Sequence, residues 1–380
     1  MKQRVDLSTL EILEKLISFP TVSHEPINDC VDFLCTLSEQ LGFQVHQYHS
    51  SETKSNIIAH IGPQENAIAL SGHMDVVPTI GQHWTRDPFS MTIENDRIYG
   101  RGSCDMKGFF ASTYAAIQKI NRKKLKKGIS LIWTHDEEIG CVGAQKLCST
   151  LQERNISIPR SILIGEPTSL NIARMHGGHS TLLLKLKGEP AHSSKPHLGV
   201  SAILAGVRSI HAIQAVQELL SKKPCIHHEM HNAHSLINIA KIQGGEAVNI
   251  IPEHCEILIG IRPMPGENLD TIQEEIEKKV KEALHNISVE IHWEVIQEAP
   301  PMLTREGTTL EKYLSSIISS QFIGLPFATD GGCFGSLGAE PIICGPGSIN
   351  QAHKADEFIS QKELFSYTDS LETLISKWCL

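Results

Sequence analysis

The feature that most restricts the fold is a change in the order of strands and helices along the chain. Up to about residue 175, short apolar strands alternate with amphipathic helices, which is typical of an α/β sheet with helices on both faces. The expected strands are 56–61, 67–71, 129–133 and 161–164, and the expected helices are 7–18, 26–41 and 105–120.

A different pattern follows, in which strands and helices no longer alternate one by one. Its expected elements are strand 180–187, helix 200–221, strands 235–243 and 254–262, helix 268–284 and strand 287–297. This order predicts an α+β sandwich of ferredoxin-like topology with one sheet face open. The α/β pattern then returns with a helix near 307–320, a strand at 341–344 and a helix near 360–377. We therefore expect one α/β domain, residues 1–175 and 293–380, interrupted by an inserted domain, residues 176–292.

Composition excludes several classes of protein. The 380 residues are 41% apolar and 20% charged, which rules out a disordered chain or a coiled coil. No apolar run reaches the ~18 residues of a membrane span, and the net charge of −9 argues against nucleic acid as a partner. Ten dispersed cysteines without a C-x-x-C motif, and a first helix unlike a signal peptide, indicate a cytoplasmic protein with reduced thiols.

Acidic residues and histidines follow four of the apolar strands or begin a helix. His73 and Asp75 follow the strand at 67–71, and Asp105 opens a helix; the full set adds Glu137, Glu138, Glu166 and, late in a glycine-rich loop, His353. In an open α/β sheet, functional sites form at the carboxyl ends of the strands. Each member alone also has a plain structural reading: a helix cap for Asp105, a turn for Asp75, and a solvated acidic loop for Glu137 and Glu138.

The combination points to a metal centre. Two histidines and three carboxylates suit two zinc-like ions that share one carboxylate; the set is His73, Asp105, Glu138, Glu166 and His353. Adjacent side chains diverge, so one acid of the Glu137–Glu138 pair can bind metal while its neighbour addresses a water. Three adjacent acids at 136–138 repel one another unless a cation neutralises them.

Over nearly its whole length, the chain resembles the co-catalytic zinc aminoacylases and exopeptidases. The motifs that carry the resemblance are SGHMDVVP at 71–78, GRGSCDMKG at 100–108, HDEEIG at 135–140, GEPT at 165–168, GEPAHSSKPHLGVSAI at 188–203 and GPGSINQAHKADE at 345–357. The resemblance implies a catalytic domain with a mixed sheet and an inserted domain that acts as a lid and dimerises. It also implies two Zn²⁺ ions, for which Co²⁺ can substitute.

The resemblance further implies a role for each metal ligand. His73 and Glu166 would hold one ion, Glu138 and His353 the other, and Asp105 would bridge them.

Catalytic roles follow in the same way. Asp75 would orient His73, and Glu137 would act as general base and then as proton donor. His192 would enter the active site of the partner subunit and stabilise the oxyanion.

For the substrate, the resemblance points to Asn249, Arg262 and the loop that contains Gly347. We expect the planar guanidinium of Arg262 to bind the α-carboxylate of the substrate. Asp330 is a candidate contact for a substrate ammonium group.

The implied reaction is hydrolysis of an N-acyl amino acid, most closely that of N2-acetyl-L-ornithine to L-ornithine and acetate in arginine biosynthesis. N-succinyl-diaminopimelate or another N-acyl amino acid is the alternative substrate, and a non-catalytic metal-binding dimer is the more distant alternative. Two positions depart from the expected pattern. Thr329-Asp330-Gly331 stands where Thr-Glu-Ala is usual, and Gly260 stands where an Asp is expected.

Overall fold

A computed structural model describes residues 7–225, 227–230, 232–318 and 321–380. Its helices are α1 Thr9–Ile17, α2 Asn28–Gln40, α3 Lys107–Lys119, α4 Val142–Glu153, α5 Ala202–Ser221, α6 Leu269–Leu284, α7 Thr309–Ile317, α8 Gly331–Ser336 and α9 Gln361–Cys379. The strands of the first half are β1 Gln44–His49, β2 Ser55–Ile61, β3 Ile68–His73, β4 Thr92–Glu94, β5 Arg97–Tyr99, β6 Ile129–Thr134, β7 Ser161–Pro167 and β8 Ile172–His176. Those of the second half are β9 His179–Lys187, β10 Leu236–Gly244, β11 His254–Arg262, β12 Glu290–Ala299, β13 Met302–Leu303, β14 Phe322–Leu325, β15 Glu340–Gly345 and β16 Phe358–Ser360.

The chain divides into two compact units. The first comprises Met1–Met175, Thr304–Ile323 and Thr329–Leu380, and the second comprises His176–Leu303 and Gly324–Ala328. The sequence-based boundary at residue 292 falls inside β12, which pairs with β9 through Ala299, so the second unit extends further along the chain. The helix expected near 307–320 is α7, and residues 319 and 320 lie outside the described ranges.

A mixed sheet forms the centre of the first unit. Its strand order runs β1-β2-β6-β3-β7-β15-β8, with parallel pairing among β6, β3, β7 and β15. Nearly every residue of β3, β6 and β7 is buried, because helices cover both faces of a parallel sheet. Trp133 of β6 stacks on Phe110 of α3 with ring centroids 4.2 Å apart. The mixed α/β sheet expected from the sequence is confirmed.

The second unit has its own core beneath a four-stranded antiparallel sheet of order β10-β11-β9-β12. Alternate residues of β9 point inward, and Leu182, Leu184 and Leu186 pack with the apolar faces of α5 and α6. The helices lie against one face of the sheet, as the α+β pattern predicts. The ten cysteines are all free thiols, and among the described residues no helix is long and apolar enough to cross a membrane.

Candidate metal centre

The candidate ligands meet at one edge of the sheet in the first unit. His73 is the last residue of β3, Glu166 lies near the end of β7, and the Glu137–Glu138 pair follows β6. These three strands are parallel neighbours, so their carboxyl ends share one edge. Asp105 does not cap α3, since Met106 is the N-cap residue. The helix-cap reading of Asp105 is therefore excluded.

Asp105 lies between two imidazoles and presents one carboxylate oxygen to each. His73 Nε2 is 3.0 Å from Asp105 Oδ1, and His353 Nε2 is 3.4 Å from Asp105 Oδ2. The side chains of Asp105 and His73 are both buried. A carboxylate held in this way can bridge two cations.

Each imidazole has a second carboxylate at its side. Glu166 Oε1 lies 3.8 Å from His73 Nε2, and Glu138 Oε2 lies 2.9 Å from His353 Nε2. One ligand atom each from His73, Asp105 and Glu138 lies within 4.8 Å of the others, and the same holds for His73, Glu137 and Glu166. The five predicted ligands thus lie together, with one histidine and one glutamate on each side of Asp105.

The charges of this cluster fit a pair of divalent cations. Burial raises the pKa of Glu137 and Glu166 well above the usual range, and burial with the Asp105 charge raises that of Glu138 to about 7. Hydrogen bonds to Asp105 and Glu138 raise the pKa of His353 to about 10. Buried acids that outnumber their imidazole partners carry a large cost unless cations neutralise them. Imidazole nitrogen and carboxylate oxygen are donors that zinc-like ions accept.

The structure revises the expected role of Asp75. The main-chain carbonyl of Asp75 lies 2.9 Å from His73 Nδ1, whereas its carboxylate lies 3.8 Å from that nitrogen. The carboxylate instead accepts hydrogen bonds from Glu137 N–H at 3.0 Å, Glu138 N–H at 3.3 Å and the Ser23 hydroxyl at 2.8 Å. Asp75 therefore holds the imidazole through its backbone and the acidic loop through its side chain.

Asp330, the candidate contact for a substrate ammonium group, is not exposed at a surface. Its side chain is buried next to Glu137 and Cys141 and accepts a hydrogen bond from the Thr134 hydroxyl. Burial raises the pKa of Asp330 to about 6. The Cys141 thiol lies 3.5 Å from Glu137 Oε1, so Asp330 and Cys141 both lie beside Glu137.

Gly347 is also engaged by the protein itself. Its N–H donates to Glu363 Oε1 at 2.8 Å, and a Cβ at this position would lie 2.6 Å from Cys104 Sγ. Its φ of +85° lies in the left-handed region that glycine adopts at least cost. Gly347 thus shapes the loop before His353, and its N–H is already bonded to Glu363.

The candidate residues of the second unit fall in two places. His192 pairs with Ile250, and Ser193 N–H donates to the Asn249 carbonyl at 2.9 Å, so His192 and Asn249 share one loop region. Arg262 is exposed at the far end of β11, nine residues long and therefore roughly 30 Å from end to end. The structure brings His192 and Asn249 together and leaves Arg262 at the opposite end of the strand.

Glu357 is a further residue near the site, and no motif in the sequence marks it by itself. This acid lies four residues after His353, and its buried carboxylate contacts the loop that leads to Asp105. An acid in a loop that also carries a candidate ligand is the only sequence signal that marks it.

Comparison with known proteins identifies a family and a shared fold. The family model described as Peptidase family M20/M25/M40 matches residues 69–377. The chain is 30% identical over 383 residues to the acetylornithine deacetylase of Buchnera aphidicola subsp. Acyrthosiphon pisum, with 98% of each chain covered. It is 32% identical over 386 residues to that of Vibrio parahaemolyticus, covering 97% of this chain and 98% of the relative. A Bacillus subtilis protein described as a dinuclear metal binding peptidase shares the fold, with a TM-score of 0.68 at 16% identity and 97% of each chain covered.

Proposed function

The chain belongs to Peptidase family M20/M25/M40, and from this premise we propose that it hydrolyses the acyl amide bond of N-acyl amino acids. The observation that carries the proposal is the position of the Asp105 carboxylate between His73 and His353, with Glu137 beside the cluster. We take N2-acetyl-L-ornithine as the leading substrate, because relatives named acetylornithine deacetylase match almost the entire chain. The reaction would then serve arginine biosynthesis in the cytoplasm.

Two divalent ions are the proposed cofactors, Zn²⁺ in the first instance, with Co²⁺ able to substitute. His73 and Glu166 would hold one, His353 and Glu138 the other, and Asp105 would contact both. When bound, such ions polarise the acyl carbonyl and lower the pKa of an attacking water.

Glu137 is the proposed general base. Its backbone N–H is fixed by Asp75, and one of its carboxylate oxygens lies within 4.8 Å of ligand atoms of His73 and Glu166. The carboxylate accepts a proton from the water as the bond between the water oxygen and the acyl carbon forms. It passes that proton to the amine nitrogen as the C–N bond breaks, which leaves a carboxylic acid and a free amine. A base in this position contributes about 10²–10⁴-fold to the rate.

His192 is the proposed donor to the carbonyl oxygen as this atom becomes negative. Its Nδ1 accepts the backbone N–H of Ser194 at 3.1 Å, and a backbone amide can only donate. The neutral ring therefore carries its proton on Nε2, where it can hydrogen-bond an oxyanion. The exposure of His192 suits a group that serves the active site of a second copy.

Pairing of two copies through the second unit is part of the proposal. Helix α5 exposes Leu204 by 65% and Val207 by 41%, and the neighbouring edge strand β10 exposes Ile242 by 46%. Apolar side chains on a helix and an unpaired strand edge favour self-association. Asn249 and Arg262 of the second unit are the proposed substrate contacts. The planar guanidinium of Arg262 is suited to binding a substrate carboxylate.

A substrate panel with metal removal tests the function. The zinc-loaded protein is assayed with acetylornithine, succinyl-diaminopimelate and acetylmethionine, then treated with a chelator and reloaded with Zn²⁺ or Co²⁺. We expect the highest kcat/KM for acetylornithine, its loss on chelation and its return with either ion. A preference for succinyl-diaminopimelate would change the substrate, whereas zinc binding without hydrolysis of any of the three would refute the enzymatic proposal.

A further inference from the structure

Glu357 is a buried acid whose two oxygens are fully engaged by one short loop. Its Oε2 accepts from Arg101 Nη1 at 2.7 Å and from Gly102 N–H at 3.0 Å. Its Oε1 accepts from Cys104 N–H at 2.9 Å and from Asp105 N–H at 3.0 Å. The residue is 1% exposed, so these protein groups replace water as its hydrogen-bond partners.

The same contacts join the loops that carry two candidate ligands. The Glu357 main-chain carbonyl accepts Gly100 N–H at 3.0 Å. Both the backbone and the side chain of Glu357 therefore hydrogen-bond the segment that precedes Asp105. Arg101 also donates to the Lys354 carbonyl at 3.3 Å and to Gln82 Oε1 at 2.5 Å. Gln82 Nε2 in turn donates to the His353 carbonyl at 2.9 Å. The 100–105 and 353–357 segments are thus held as one assembly.

The charge of the assembly suits its location. Glu357 lies close to a cluster that already contains several buried acids, and an unpaired carboxylate there would add to their repulsion. The buried guanidinium of Arg101 offsets that charge at a contact of 2.7 Å. Charge-assisted bonds to backbone amides are stronger than neutral ones, so the carboxylate can hold the loop rigidly.

We propose that Glu357 is a positioning residue for the metal centre, which fixes the Asp105 carboxylate relative to the His353 imidazole. Neither Glu357 nor Arg101 is among the candidate metal ligands. Both act by holding the backbone from which a ligand projects. The inference rests on the proposed function insofar as Asp105 and His353 bind metal.

The test compares Glu357→Gln with the matched variant Glu311→Gln in the full-length protein. Glu311 is likewise buried, accepts the Gly307 N–H at 3.0 Å and lies 3.6 Å from Arg174 Nη1, but it belongs to α7 and contacts neither ligand loop. Zinc affinity is measured by competition with a chelator of known affinity. Loss of a supporting contact behind a ligand weakens metal binding by about 10- to 100-fold, and we expect this for Glu357→Gln alone.

Hydrogen exchange of the zinc-loaded proteins provides a readout that does not depend on activity. The Glu357→Gln substitution would turn an NH₂ group toward backbone N–H donors. We therefore expect the amide hydrogens of Gly102, Cys104 and Asp105 to exchange faster in this variant. Their exchange rates should be unchanged in Glu311→Gln. Excess zinc should restore much of the kcat of Glu357→Gln, since every ligand is retained. Glu357→Asp keeps the charge on a shorter side chain, so it should lose less zinc affinity than Glu357→Gln. It replaces Glu357→Gln in the zinc-binding test if that variant does not fold.

The outcomes separate this inference from the proposed function. Wild-type zinc affinity in both Glu357 variants, or equal losses in Glu357→Gln and Glu311→Gln, would overturn the positioning role while leaving the hydrolase proposal intact. Failure of the wild-type chain to bind zinc would overturn both.

Discussion

Replacement of Asp75 by asparagine tests whether its side chain serves the acidic loop or the His73 imidazole. The Asp75 carboxylate accepts three hydrogen bonds, from Glu137 N–H, Glu138 N–H and the Ser23 hydroxyl. In Asp75→Asn, the asparagine side-chain amide keeps most hydrogen bonds when its oxygen faces the Glu137 N–H and its NH₂ group faces the Ser23 hydroxyl. The bond to Glu138 is then lost, since two donors face each other.

The cost follows from the strengths of these bonds. Hydrogen bonds to a charged group contribute about 1.5–3 kcal/mol each, and neutral ones about 0.5–1.5 kcal/mol. One bond is lost and two become neutral, while the uncharged amide is cheaper to bury. We therefore expect the free energy of unfolding of the zinc-loaded protein to fall by about 2–4 kcal/mol.

Denaturant unfolding measures the stability, and kcat at saturating zinc measures the effect on Glu137. Ser23→Ala is the control, since it removes one hydroxyl and leaves both loop contacts, and we expect a loss of about 1 kcal/mol with little change in kcat. If Asp75→Asn kept wild-type stability and kcat at saturating zinc but bound only one zinc ion tightly, the carboxylate would act on His73 and the reasoning would be wrong.

Three further predictions concern catalysis, assembly and the glycine loop. Glu137→Gln should keep two bound metal ions by elemental analysis but lose about 10²–10⁴-fold in kcat, and near-normal turnover would exclude Glu137 as the base. Glu137→Gln and His192→Ala chains can be mixed after reversible dissociation. If His192 acts across a dimer, the mixture should recover about a quarter of wild-type activity, because half the dimers are hybrids and each hybrid has one complete site. No recovery would place His192 in its own subunit's site. Gly347→Ala should lower the unfolding free energy by more than about 1 kcal/mol, because φ is +85° and Cys104 Sγ blocks the Cβ, and unchanged stability would contradict this packing.

The proximity of the candidate ligands was predictable from the sequence because it depends on sheet topology. Once β3, β6 and β7 are parallel neighbours, His73 and Glu166 must share an edge with the residues that follow β6. The family expected from the motifs is likewise confirmed by the match over residues 69–377.

Contacts between distant segments were not predictable in the same way. Whether the backbone or the side chain of Asp75 meets His73 depends on the loop at 137–138, some sixty residues further along the chain. Asp330 is a candidate contact for a substrate ammonium because of its charge, yet it is buried beside Thr134. The end of the second unit at Leu303 depends on how far β12 pairs with β9, which the apolar pattern alone does not mark.

The position of β15 has a consequence for how the chain forms during synthesis. This strand lies between β7 and β8 in the sheet, although about 160 residues separate it from them along the chain. When β7 and β8 leave the ribosome, the strand that belongs between them has not been made, nor has His353. The second unit has a separate core, so it can fold before β15 is made. During this interval the clustered acids of the first unit lack the His353 imidazole. If the centre binds two ions as proposed, the second ion can bind only after β15 has joined the sheet and His353 has been made.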